Sequence, residues 1–275
     1  MERIGYGIIG NPLSNSKSQF IQNTFARQKD KKISYEKILS SKDDFKEDVN
    51  HFFSMRGKGL NVTAPFKEDA YKLVDQLTER ARVSKSVNTL MLLSNGKLVG
   101  DNTDGIGLVL DLKRLNIDIE NKKVLIIGAG GASRGILKPI LDEKPSSLII
   151  ANRTHESAFN LSYEFKKYGN IISKQISEIK SSFDLIINAT SGDVVHKMGF
   201  HKEIFTEHTF IYDITYKNKL TSFIRYAETN GCHDRSDGAG MLVYQGAESF
   251  NLWHKEYPNA KKVIIELREM MKSTS

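Results

Sequence analysis

The chain has 275 residues, 39% hydrophobic and 27% charged, a balance that excludes extensive disorder; 20 glycines and 5 prolines exclude collagen-like and proline-rich classes. Forty basic against thirty-three acidic residues give a net charge of +7. The lysines are scattered, with KDKK at 29–32 the densest run, so a nucleic-acid partner is not expected. One cysteine, Cys232, excludes an intramolecular disulfide and a thiolate zinc site. The start lacks a signal-peptide pattern, and no stretch approaches the roughly 18–20 apolar residues of a membrane span. A soluble cytoplasmic protein of about two domains is the expectation.

From residue 1 to about 104, strand-like and helical runs alternate. Residues 3–9 read as a buried strand, 16–30 as an amphipathic helix, 32–39 as an alternating strand and 43–55 as a second helix. The strand 60–63 ends at Pro65, which suits the first turn of a helix over 65–76. Two further strands flank Ser94-Asn95-Gly96, a hairpin-turn signal. A helix is expected over 105–115.

The next stretch, to about 237, is a cleaner strand–helix alternation: a strand at 122–130, a helix at 131–144 with Pro139 predicting a kink or early end, a strand at 147–152, a helix at 154–169, and strands at 183–190 and 208–216. Continuous apolar strands spaced by helices predict a parallel sheet covered on both faces. The tail from 238 reads as two helices broken near Tyr257-Pro258. The fold class is therefore α/β with two domains: an α/β substrate-binding domain over 1–104, completed by 238–275, and a doubly wound Rossmann-type domain over 105–237.

Gly128, Ala129, Gly130, Gly131 and Ala132 follow a strand and open a helix, where small residues let backbone approach a pyrophosphate and a helix end offers free N–H groups. The pattern is GxGxxS, with Ser133 at the third glycine position. An NAD site usually ends the next strand with a carboxylate; here the strand ends in Asn152, Arg153 and Thr154. Arg153 suits bidentate recognition of a ribose 2′-phosphate, so the cofactor expected is NADP. The plainer alternative is a surface arginine beside Thr154 as a helix cap.

Four polar clusters mark the first half. Ser16 with Gln19 matches a capping box, and Ser16 and Ser18 at a helix start also suit a small carboxylate. In the segment 61–67, Lys67 falls in the first turn of a helix, where a cation opposes the macrodipole; it reads as a functional amine or as a surface lysine beside Glu68 and Asp69. Asn88, in SVNT, would turn an amide inward. Asp104, in GDNTDG, reads as a helix N-cap or as a functional carboxylate.

GNPLSNSKS, NVTAPFKE, SVNT, GDNTDGIG, GAGGASRG, NRT, NATSG, DITY and GMLVYQG, over residues 4 to about 253, occur in the order seen in shikimate dehydrogenases, and the chain closely resembles that family. The resemblance implies reversible reduction of 3-dehydroshikimate to shikimate with NADPH in the aromatic amino-acid (chorismate) pathway. It implies Lys67 and Asp104 as the catalytic pair, Ser16 and Ser18 on the substrate carboxylate, and substrate contacts at Asn61, Thr63, Asn88, Tyr216 and Gln245. The phosphate loop falls on Gly128, Ala129, Gly130, Gly131 and Ala132, the NADP-specificity stretch on Asn152, Arg153 and Thr154, and the nicotinamide vicinity on Ile214 and Gly238. The chain departs from the family at Asn15 and Gln19, at Lys85, and at Lys217-Asn218.

The residues suit carbonyl reduction: a lysine near a carboxylate relays a proton to the alcohol oxygen while the cofactor carries the hydride. Two other readings remain open from sequence: a dehydrogenase of quinate or a related cyclitol carboxylate, and a non-catalytic nucleotide-binding or interaction module on the same fold. The expected site is a cleft between the domains, at the carboxyl ends of the nucleotide-domain strands. Gln245 either reaches that cleft or lies on the exposed side of helix 239–254, with Leu242, Phe250 and Trp253 assigned to the core. The histidines, among them His51, His196, His201 and His233, lack metal-ligand spacing, so no metal is expected. The partner expected is a small-molecule substrate, with no nucleic acid or membrane, for a monomer or homodimer.

Overall fold

The computed structural model describes residues 4–190 and 198–273, which form two compact units: Met1–Gly107 with Val243–Ser275, and Leu108–Leu242. Arg3 of the first expected strand, Ser191 and Gly192 of the NATSG segment, and His196 lie outside the described residues.

Unit one contains β1 (Ile4–Gly10), α1 (Ser18–Gln28), β2 (Ile33–Leu39), α2 (Phe45–Ser54), β3 (Gly57–Val62), α3 (Lys67–Leu73), β4 (Gln76–Leu77), α4 (Glu79–Ser84), β5 (Thr89–Leu92), β6 (Leu98–Asp101) and the start of α5 (Asp104–Arg114). Its six-stranded sheet has the order β2-β1-β3-β5-β6-β4. The β1–β2, β1–β3 and β4–β6 pairs are parallel, and the β3–β5 and β5–β6 pairs antiparallel. The Asn95-Gly96 signal makes the β5–β6 hairpin: Gly96 sits at φ +81°, and the Asn95 side chain accepts from the Lys97 amide. Phe45 stacks on Phe66 at 4.8 Å in a core shared with Val49, Leu60, Val62 and Leu90.

Unit two continues with β7 (Lys123–Ile127), α6 (Gly131–Asp142), β8 (Ser147–Ala151), α7 (His155–Phe165), β9 (Ile171–Ser173), β10 (Leu185–Asn188), β11 (Phe210–Asp213), α8 (Ser222–Thr229), β12 (Arg235–Asp237) and the start of α9 (Ala239–His254). Its strand order is β12-β11-β10-β7-β8-β9, and every pair is parallel. This is a doubly wound Rossmann order, with β7 beside the reversal point. The run KVLII explains the central strand: Val124 to Ile127 are fully buried. The last helix, α10 (Ala260–Ser273), returns to pack on α1 in unit one, where Phe25 meets Phe250 edge-on at 5.8 Å.

Several expectations need correction. Pro65 lies before α3, which starts at Lys67 and ends at Leu73 because Val74 turns extended. Pro139 does not end α6, which runs on to Asp142. The helix expected over 154–169 ends at Phe165 and tightens into a 3₁₀ turn over Lys166–Tyr168. Ser16 and Gln19 form no capping box: Lys17 is the N-cap of α1 without a side-chain bond, and the Gln19 amide instead donates to the Tyr35 carbonyl at 2.6 Å.

Candidate active site

In unit one, Lys67 opens α3 and Asp104 opens α5. Lys67 Nζ donates to Asp104 Oδ2 at 2.6 Å, with Asp104 mostly buried and Lys67 one-quarter exposed. The other carboxylate oxygen, Oδ1, accepts from Asn88 Nδ2 at 2.7 Å. The Asp104 amide donates to Asn102 Oδ1 at 3.1 Å, and Asn102 Nδ2 donates in turn to Ser86. Asn102 therefore serves the backbone at the start of α5 and leaves the Asp104 carboxylate to Lys67 and Asn88; the N-cap reading of Asp104 does not hold. The surface reading of Lys67 also fails, since its amine is held against this buried carboxylate.

Asn88 lies just before β5 and is buried. Its amide is oriented without ambiguity: the Thr103 backbone N–H, which only donates, meets Oδ1 at 2.9 Å, and the Asp104 carboxylate meets Nδ2. Nδ2 also approaches Gln245 Oε1 at 3.3 Å, so Gln245 faces this cluster from α9 rather than standing on an exposed side. Asn61, in β3, is likewise buried; its Nδ2 approaches the Asn88 carbonyl at 3.4 Å and its Oδ1 accepts from the Tyr35 hydroxyl at 2.7 Å. Burial holds the Tyr35 phenol well above its ordinary range, with Ser18 hydrogen-bonded to it. Thr63 is half-buried just after β3. Ser16 Oγ accepts from the Ser18 amide at 3.4 Å in the turn that enters α1.

Lys67, Asp104, Asn88, Asn61 and Gln245 thus belong to one polar cluster, and Ser18 joins it through Tyr35. Tyr35, Thr89, Thr103 and Ser249 escaped sequence reasoning. Signals existed for all four: Tyr35 alternates inward on β2, Thr89 and Thr103 stand inside SVNT and NTD, and Ser249 lies one helical turn from Gln245 on the same face.

In unit two, Gly128, Ala129, Gly130, Gly131 and Ala132 line a cavity of about 540 Å³ with Asn152, Arg153, Thr154 and Ser157. Gly128 has φ +110°, and a Cβ there would meet the Ala189 backbone at 3.0 Å, so only glycine suits the turn. Ser133 at the third glycine position is structural: its buried hydroxyl donates to the Gly128 carbonyl at 2.7 Å and tightens the loop. Thr154 is the N-cap of α7 but makes no side-chain capping bond, while Asn152 Nδ2 donates to the Thr154 carbonyl at 3.0 Å. Arg153 is exposed at the cavity wall, and among the described residues no Asp or Glu lines it.

Gly238 packs against Ile214 so closely that a Cβ would lie 2.0 Å from the Ile214 carbonyl oxygen. Tyr216 is half-buried; burial first, then the negative charge of Asp237, raises its phenol above the ordinary value, so it stays a neutral donor. Among the described residues no group of three or more His, Cys, Asp or Glu side chains is placed to hold a metal, and no helix is long and apolar enough to cross a membrane.

Family models match three segments of the chain: the shikimate dehydrogenase substrate-binding domain at residues 8–90, the shikimate/quinate 5-dehydrogenase family at 110–218, and the shikimate 5′-dehydrogenase C-terminal domain at 238–266. The shikimate dehydrogenase (NADP(+)) of Psychromonas ingrahamii is 47% identical over 96% of this chain and 97% of its own length. That of Vibrio campbellii is 45% identical, covering 96% of each. Among solved structures, an Ael1 enzyme from Pseudomonas putida matches with a TM-score of 0.89 at 37% identity, over 96% of this chain and 97% of its own. A shikimate 5-dehydrogenase from Thermus thermophilus, in complex with NADP(H) and shikimate, matches with a TM-score of 0.86 at 26% identity, over 97% and 99%.

Proposed function

This chain belongs to the shikimate dehydrogenase family, and we propose that Lys67 and Asp104 are the catalytic pair with which it interconverts shikimate and 3-dehydroshikimate. It is an NADP-dependent oxidoreductase. The observation that carries the catalytic assignment is the 2.6 Å contact between Lys67 Nζ and Asp104 Oδ2, with Asn88 holding the second carboxylate oxygen.

The residues of unit two fit the cofactor. The glycine turn brings bare backbone to a pyrophosphate, and Arg153, with no carboxylate among the described residues lining its cavity, suits a 2′-phosphate flanked by Asn152 and Thr154. Ile214 and Gly238 are assigned to the nicotinamide vicinity. NADP(H), when bound, supplies or accepts the hydride.

The work of the chain's own residues is proton transfer and positioning. The Lys67 ammonium gives one N–H to Asp104 and has others for a substrate hydroxyl or carbonyl oxygen. In the direction of reduction Lys67 donates a proton to the oxygen as negative charge develops on it; in oxidation the neutral amine takes the hydroxyl proton back. Asp104 anchors the position of the amine. Ser16 and Ser18, at the start of α1, are assigned to the ring carboxylate, and Asn61, Thr63, Asn88, Tyr216 and Gln245 to the ring hydroxyls. The division into a substrate-binding 1–104 with 238–275 and an NADP-binding 105–237 is part of the same proposal.

The test follows nicotinamide absorbance with shikimate or quinate as substrate and NADP⁺ or NAD⁺ as cofactor. Turnover of shikimate with NADP⁺ at the highest kcat/KM is expected. Preference for quinate would move the substrate assignment, and no turnover of either would leave a binding module.

A further inference from the structure

Between Tyr35 and Asp104 the buried polar groups of unit one form a continuous sequence of hydrogen bonds. Asp104 Oδ1 only accepts, so Asn88 Nδ2 donates to it at 2.7 Å. Asn88 Oδ1 is then an acceptor, and Thr89 Oγ1 donates to it at 2.9 Å. Thr89 Oγ1 also meets Ser249 Oγ at 2.7 Å, a pair in which either hydroxyl can donate, and Ser249 Oγ reaches the Gln245 carbonyl at 3.1 Å. Asn61 Nδ2 is fixed by the Asn88 carbonyl, which cannot donate, and it gives its proton to Ser249 Oγ at 3.0 Å. Asn61 Oδ1 takes the Tyr35 hydroxyl proton at 2.7 Å, and Ser18 hydrogen-bonds to Tyr35.

We infer that Ser249 is a positioning residue for this reaction: its hydroxyl is the middle link of a hydrogen-bond chain running from Ser18 through Tyr35, Asn61, Ser249, Thr89 and Asn88 to Asp104, and that link braces Asn61 against Thr89 and Asn88, holding at a set spacing the two amides offered to the substrate. The members share donors and acceptors and act as a unit. The chain joins the serines assigned to the substrate carboxylate to the lysine–aspartate pair assigned to its reacting oxygen. Ser249 itself is fully buried and touches neither end. The inference rests on the shikimate dehydrogenase reading and adds to it a residue that acts only through others.

Ser249→Ala removes the link without adding bulk and suits a helix. The Asn61 amide then loses its nearest acceptor and Thr89 its hydroxyl partner. The expected result is a fall of about tenfold in kcat/KM for shikimate, carried chiefly by KM, with KM for NADP⁺ changed by less than about twofold. Tyr35→Phe cuts the same chain nearer its start and gives a second, independently folding test. In the double variant the loss should be close to that of the worse single variant rather than the product of the two. Circular dichroism establishes that each variant is folded. A Ser249→Ala enzyme with wild-type KM for shikimate, an equal rise in both KM values, or losses that multiply would overturn the inference while leaving the family function standing. A wild type that does not turn over shikimate would overturn both.

Discussion

Lys67 occupies the first position of α3, where a cation opposes the helix dipole. The compensation is Asp104, whose buried carboxylate holds the amine, and this costly arrangement supports the proposed role of Lys67 as proton donor. Lys67→Ala is expected to lower kcat for shikimate by about a hundredfold or more with little change in KM, measured by steady-state kinetics. A rise in KM alone would make Lys67 a binding group. Arg153→Ala should weaken NADPH by about tenfold or more and leave NADH nearly unchanged, read by titration of cofactor fluorescence. Equal losses would show that Arg153 does not meet the 2′-phosphate. Lys67 was legible because a cation in a first turn breaks a local rule; Asp104 obeys the rule for a helix start and was legible only through its place in the polar run GDNTDG. Ser249 carried a weaker signal, its one-turn spacing from Gln245: a serine on a largely apolar helix breaks no rule, and its neighbours Asn61, Thr89 and Thr103 come from other segments of the chain.

At the scale of elements, legibility tracked length and apolar continuity. Strands β7, β8 and β10 announce themselves as runs of buried aliphatics, whereas β4, β9 and β12 have two or three residues each and carry no period to read. Their existence depends on a neighbouring strand that is already placed. The approach of β12 to the segment after β11 illustrates this: Gly238 is needed because the Ile214 carbonyl occupies the space of a Cβ. Gly238→Ala should destabilise the protein by about 1–3 kcal/mol in urea unfolding and weaken NADP⁺ binding with it. On α9, His254 packs its ring 4.2 Å from Phe250 and 5.0 Å from Tyr6. Burial, reinforced by the nearby Lys31 charge and only partly offset by Glu256, pushes its pKa down from 6.5 to about 4. Between those values the unfolded chain takes up a proton that the folded ring refuses, so stability falls as pH drops through the window from 6.5 to about 4. The loss should be roughly 1–2 kcal/mol, since solvent reaches part of the ring. Urea midpoints at both ends of the window, compared between wild type and His254→Phe, check this: the variant should lose that part of the slope.

At the scale of the molecule, the chain visits unit one, then unit two, then unit one again, and each crossing falls inside a helix, α5 or α9, rather than in a linker. Composition shifts therefore could not reveal the boundaries; what the sequence showed was the change from mixed to regular strand–helix alternation. If the two units hold different ligands, hydrogen exchange should separate them. NADP⁺ should protect amides around the Gly128–Ala132 loop and β8, and shikimate those around α1, β3 and the start of α5. At about a hundred times Kd, either ligand should add about 2.7 kcal/mol to stability. Protection by shikimate confined to unit two would overturn the division.

The discontinuity of unit one also sets an order of events during synthesis. A ribosome releases β1, α1 and β2 first, yet α1 completes its packing only against the last helices, where Gln22 meets the Gly246 carbonyl and Phe25 meets Phe250. The Rossmann sheet, complete within one uninterrupted stretch, is free to fold while the rest of the chain is still being made. Unit two is thus free to form before unit one, whose Lys67 and Asp104 are translated early but whose Gln245 and Ser249 emerge nearly last; under the proposed assignment the cofactor site precedes the proton-transfer site.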